Sequence, residues 1–252
     1  MGDLPANKRP SVTDKELTVL VTGFGPFQDK FPVNPSFEIT KSLPQLLPTS
    51  AGDDTRTNVI AYGTPIRVCY DTVRDLVPKL HESYLDTVDL VLHIGMASGR
   101  DYYTLEQIGH RDGYHKNKDL DGKTPAENDG LLRFADCPVE MSSSLNCREV
   151  LRKWRSRIEA LPANSPAYGA DCRPSNDAGN YLCDYLYFNS LAWYGRRSGC
   201  MDDGAAADRP VLFLHVPAEA DEQTLAKGNI VTLALIEAMV EELRLERINL
   251  QA

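Results

Sequence analysis

The sequence predicts one α/β domain: a mainly parallel sheet with helices on both faces. Three observations carry this. Apolar runs recur at 17–23 ("LTVLVTG"), 88–100 ("VDLVLHIGMASGR") and 210–217 ("PVLFLHVP"), the first two running into glycines, as expected for strands covered on both sides. Segments with apolar residues at helical spacing fall between them, and that alternation is the pattern of a sheet wrapped by helices. At 252 residues the chain suffices for one sizeable core, and no repeat or linker divides it. The domain is expected over 15–252, with the polar stretch 1–14 as a disordered tail.

In chain order, 17–23 is the first strand, and a helix follows Pro35 with Phe37, Ile39, Leu43 and Leu46 as its inner side. The stretch 57–66 is a second strand after a polar loop at 48–56. Val73, Leu76, Val77 and Leu80 mark an amphipathic helix over 71–84, which Pro78 is expected to kink or shorten. "YYTLEQIG" (102–109) reads as one strand, and 111–146 is polar with weak periodicity. "CREVLRKWRSRIEAL" places Val150, Leu151, Trp154 and Ile158 on one helix face. "AGNYLCDYLYFNSLAWYG" (178–195) is a helix capped by the Ser-Asn-Asp cluster before Ala178. The loop 195–209 is expected to be mobile. Asp221 is the N-cap of a long closing helix.

Composition removes several function classes. The 27 basic and 36 acidic residues leave a net charge of −9, with no dense basic run, so nucleic acid is not an expected partner. No apolar run reaches about 18 residues, and the N-terminus has no signal-peptide core, so no membrane partner is expected. Gly2 is no myristoylation site, because Ala6 stands where that motif needs Ser or Thr. Six irregularly spaced cysteines without a CxxC pair read as reduced thiols, and the expected compartment is the cytosol.

Four stretches carry chemistry. After Gly23 and Gly25 the position that a dinucleotide fingerprint needs as glycine is Gln28, and no Gly-Lys-Ser/Thr follows, so "GFGPF" is not a phosphate loop. Its phenylalanines, Phe24 and Phe27, suit flat walls around a small uncharged ring. Cys183 lies about one turn into its expected helix, where the helix dipole favours thiolate and free N–H groups can hold an oxyanion. His215 ends a buried strand, the place where open α/β sheets carry their sites. Glu106, among apolar residues in its strand, needs a partner, and an imidazole is a good one. Against these stand plain alternatives: core phenylalanines beside a turn, an inert buried thiol, a structural histidine and an edge-strand glutamate. His93, inside its strand, reads as structural. Ser98 does not fit a nucleophile elbow, and no close Cys/His pair supports zinc.

Taken together, "VTGFGPF…NPS", "GMASGR…TLEQIGH", "SNDAGNYLCDYLYFNSL" and "FLHVP" resemble, in order, the type I pyroglutamyl peptidases, cytosolic cysteine peptidases. The resemblance spans about residues 18–240. It implies a three-layer α/β/α sandwich around a twisted sheet, with Cys183 as nucleophile, His215 as general base and acid, and Glu106 as the orienting carboxylate. It implies that Phe24 and Phe27 sandwich the pyrrolidone ring, with Met96 at a further substrate contact. Lys116 falls near the register of an arginine that bacterial members carry close to the thiol. The substrates implied are peptides with an N-terminal pyroglutamate, and neither metal nor organic cofactor is needed. The family includes monomers and tetramers, and no interface is legible in the chain. The alternatives are a nucleoside-cleaving enzyme, for which no phosphate or ribose loop is visible, and a non-catalytic protein of the same fold that keeps the pocket.

Overall fold

The computed structural model describes residues 16–27, 30–48, 56–202 and 204–250. The expected tail at 1–14 and most of the loop at 48–56 lie outside the described residues. A six-stranded sheet runs in the order β2 (Thr57–Ala61), β1 (Leu17–Gly23), β3 (Leu90–Ala97), β8 (Val211–Pro217), β4 (Tyr103–Glu106), β7 (Cys172–Ser175). Every pairing is parallel except β4 with β8. The continuous apolar runs are the central strands, and β1 and β8 are buried along their whole length.

Side chains alternate across the sheet and feed two cores. Leu212, Leu214 and Val216 of β8 join the core under α1 (Pro35–Ser42), α4 (Cys147–Glu159) and α6 (Glu222–Asn249). Val211 and Phe213 join the opposite core, under α2 (Tyr70–Tyr84) and α5 (Leu182–Ser198). The result is an α/β/α sandwich. Caps set the helix starts: Asp221 accepts from the amides of Gln223 and Thr224, both at 3.0 Å, and Asn146 accepts from Glu149 N–H. Trp154 is fully buried and donates through Nε1 to Val231 O (2.9 Å), binding α4 to α6.

Several expectations are corrected. Helix α1 stops at Ser42, ahead of Pro44, so Leu46 is 46% exposed and Leu47 is buried in its place. Pro78 neither ends nor shortens α2, which runs through it to Tyr84. "YYTLEQIG" is two strands rather than one: β4 ends at Glu106, with Gln107 N–H still donating to Ser175 O of β7. The second piece, β5 (Ile108–His110), leaves the main sheet and pairs with β6 (Glu140–Ser142). The polar stretch 111–146 contains β6, a 3-10 turn at Tyr114–Lys116 and the short α3 (Asp129–Arg133). Strand β7 was not anticipated: only Cys172 in it is buried. Of the loop expected to be mobile at 195–209, residues 195–198 belong to α5, and the described part of 199–209 is held by Arg209, which is almost fully buried and donates to the carbonyls of Ser142, Cys200 and Asp202.

Candidate active site

Strand register brings the expected residues to one face. Gly95, His215 and Thr104 lie side by side across β3, β8 and β4, and Phe213, Glu106 and Ser175 form a parallel row across β8, β4 and β7. Residues paired across strands share a face, and Phe213 packs in the core under α5, so His215 and Glu106 point toward that helix. Both are buried, at 4% and 0% exposure.

Glu106 Oε1 accepts from His215 Nδ1 (2.8 Å), Thr104 Oγ1 (2.9 Å) and Arg100 Nη1 (3.1 Å). Burial alone would raise the carboxyl pKa, but the hydrogen bond and charge of His215 outweigh it and hold the group below its ordinary value. An ionised carboxylate only accepts, so it is His215 Nδ1 that donates to Glu106, which leaves Nε2 as the ring nitrogen not held by the carboxylate.

Helix α5 begins at Leu182, and Cys183 is its second residue, not a turn inside it. The Ser-Asn-Asp cluster caps a turn, not the helix: Asp177 Oδ1 accepts Gly179 N–H (2.9 Å), and Gly179 takes the left-handed φ of 77°. Extended Tyr181 then leads into the helix. This start leaves the first-turn amides around Cys183 without intrahelical acceptors. The thiol, half-buried, rests on the sheet at Gly95: a Cβ there would lie 2.7 Å from Sγ and 2.9 Å from Phe213 Cζ. Only glycine lets the cysteine settle beside the strand position of His215. Burial pushes the Cys183 thiol well up, Glu106 and Asp184 add to this, and Arg100 opposes it. Among the described residues Cys183 forms no hydrogen bond to His215.

Asp184, fully buried, accepts from His110 N–H (2.9 Å) and Nδ1 (3.0 Å), which pins β5 to the start of α5. Its hydrogen bond raises the His110 pKa, while burial raises that of Asp184.

Beside the thiol lies a cleft of about 90 Å³, room for one small ring. Phe24, Phe27 and Met96, singled out in the sequence, line it together with Cys183. Asn34, Ser98 and Tyr181 line it too, and their part was not anticipated. Phe27 meets Tyr181 with ring centroids 5.5 Å apart. Asn34 and Ser36 fasten the phenylalanine loop. Asn34 Nδ2 donates to Gly25 O (2.8 Å), Asn34 Oδ1 accepts from Ser36 N–H (3.1 Å) and Oγ (2.8 Å), and Ser36 Oγ accepts Phe24 N–H (3.0 Å). Lys116 is exposed in its 3-10 turn; the cation beside Glu106 is Arg100. His93 is enclosed between Thr22 and Ser190, at 2.7 and 2.9 Å.

A helix-start cysteine, a strand histidine held by a glutamate and an adjoining aromatic cleft define an α/β protein with the side-chain set of a cysteine peptidase. The family model described as pyroglutamyl peptidase matches residues 17–247, and the chain belongs to that family. It is 31% identical to pyroglutamyl-peptidase 1 of Mus musculus, over 88% of this chain and 89% of the mouse protein. Against pyroglutamyl-peptidase 1 of Homo sapiens the identity is 30%, over 88% and 90%. A solved pyrrolidone carboxyl peptidase variant from Pyrococcus furiosus shares the fold, with a TM-score of 0.68 at 24% identity, over 90% of this chain and all of that one.

Proposed function

We propose that this protein hydrolyses the amide bond after an N-terminal pyroglutamyl residue of peptides, with Cys183 as nucleophile, His215 as general base and then acid, and Glu106 as the orienting carboxylate. The observation that carries this reading is the position of Cys183 Sγ, against Gly95 in the strand register of His215 and on the wall of the aromatic cleft. In this scheme His215 Nε2 takes the thiol proton, and Glu106 stabilises the resulting imidazolium. The thiolate bonds to the pyroglutamyl carbonyl carbon, and first-turn amides of α5 hold the oxyanion. The C–N bond breaks as His215 returns the proton to the leaving amine. Water, deprotonated by His215, then cleaves the thioester and releases pyroglutamate. The scheme needs no metal or organic cofactor.

Substrate choice follows from the cleft. Pyroglutamate is a neutral ring without a charged terminus, so walls built from Phe24, Phe27 and Tyr181 favour it. Proline lacks the ring carbonyl, and polar groups set to meet that carbonyl would be left unpaired. The six cysteines are all free, which suits a reducing compartment, and we assign the protein to the cytosol. Among the described residues no helix is long and apolar enough to cross a membrane.

The test is turnover of a chromogenic pyroglutamyl amide with and without iodoacetamide. Hydrolysis abolished by the alkylator is expected. A protein that binds pyroglutamate but never turns over would instead be the non-catalytic relative of the same fold.

A further inference from the structure

We infer that Arg100 is a positioning residue of this site: its guanidinium holds Glu106 against His215, ties that carboxylate to the loop entering α5, and supplies positive charge beside the thiolate. The inference rests on the roles proposed above for Cys183, His215 and Glu106.

Arg100 stands in the turn after β3, its own N–H donating to Ala97 O (3.3 Å). Nη1 donates to Thr104 Oγ1 (2.9 Å) and Glu106 Oε1 (3.1 Å), and Nη2 reaches Asp177 O at 3.5 Å. Its donors therefore span β4 and the turn whose Gly179 precedes the cysteine. Glu106 Oε1 gathers the donors of Arg100, Thr104 and His215, while buried Oε2 has none. All the restraint on the carboxylate thus falls on the oxygen that orients the imidazole. A planar fork can hold a carboxylate and a carbonyl together, which a lysine ammonium does less well.

The charges around the thiol give this arrangement a second consequence. Glu106 from β4 and Asp184 from α5 are both fully buried and both oppose a thiolate, and Tyr181 stands at the helix cap. In the proposed scheme His215 is the group that takes up the thiol proton, and His110 is engaged with Asp184. Arg100 is a permanently charged side chain that acts in the thiolate's favour. A bland salt bridge that merely braces the turn between β3 and β4 would affect stability alone.

R100A and R100K separate these roles. The readouts are kcat and KM for a chromogenic pyroglutamyl amide, the pH midpoint of Cys183 alkylation by iodoacetamide, and Tm. In R100A the midpoint should rise by about one pH unit or more, and kcat should fall about tenfold or more with KM little changed. Added guanidinium should restore part of the rate. In R100K, which keeps the charge and loses the fork, the midpoint should stay near wild type while kcat drops. Wild-type kcat and midpoint in R100A, with only a lowered Tm, would overturn the inference. Should R100A fail to fold, wild-type kcat in R100K would overturn it. Absence of turnover in the wild-type protein would instead count against the proposed reaction, and the alkylation midpoints would still report on Arg100.

Discussion

Three donors converge on one oxygen of Glu106, so its charge matters more than its shape. Glu106→Gln keeps an acceptor for His215 but removes the charge that favours imidazolium. We expect kcat to fall roughly a hundredfold or more with KM nearly unchanged. A raised KM alone would move Glu106 from the reaction to substrate binding. At this scale the sequence drew attention to residue types that chemistry singles out: a helix cysteine, a glutamate among apolar neighbours, and a histidine that was expected at a strand end but lies inside β8, which runs on to Pro217. It was uninformative about the residues that act on them. Arg100, Asp184 and Tyr181 take their parts through turns and pairings between distant segments, which residue type does not reveal. Lys116 illustrates the limit, because its register says nothing of a 3-10 turn that leaves it exposed.

Between β1 and α1 the chain is a loop locked from behind. Asn34→Ala would leave Gly25 O and the Ser36 N–H without their side-chain partner, and a buried unpaired group costs about 1–3 kcal/mol. With the phenylalanines loosened, kcat/KM should fall mainly through KM, while alkylation of Cys183 by a small neutral reagent keeps its rate. Phe27→Ala removes one wall directly and should cost about 1–3 kcal/mol, roughly 5- to 150-fold in kcat/KM, with weaker discrimination against a prolyl amide. Unchanged kcat/KM in both variants would return Phe24 and Phe27 to the role of core residues beside a turn. The elements themselves were legible in proportion to their burial. Strands β1, β3 and β8 announce themselves as unbroken apolar runs. Strand β7 does not, because Arg173 and Pro174 face outward on a sheet edge. The start of α5 misled, because Asp177 spends its carboxylate on Gly179 rather than on the helix.

Across the whole molecule, stability should fall with acid earlier than carboxylates alone require. His81 and His93 are fully buried and share Ser190 Oγ at 3.0 and 2.9 Å. Burial pushes His81 down to about 3, and burial with the neighbouring His81 pushes His93 well below its ordinary value. Both stay neutral in the folded chain while the unfolded chain takes up protons below about pH 6.5. The unfolded state therefore binds more protons, and each histidine removes up to about 1.4 kcal/mol per pH unit as pH falls from there. His110 works in the opposite sense: its raised folded pKa gives stability that is complete below about 6.5 and lost as pH rises through the folded value. Below about 6.5 the His110 contribution is already complete and offsets nothing further, so Tm should drop between pH 6.5 and 5, and His81→Gln should flatten that drop. A Tm that holds or rises on acidification would contradict this. The central claim is narrower: one thiol among six does the chemistry. It is tested most directly by limited iodoacetamide labelling of the folded protein, with each cysteine mapped by mass spectrometry and pyroglutamyl-amide turnover followed in the same samples. The account predicts that turnover falls in step with modification of Cys183, and that Cys183→Ser is folded and inactive. Turnover that survives full labelling of Cys183, or an active Cys183→Ser variant, would contradict it.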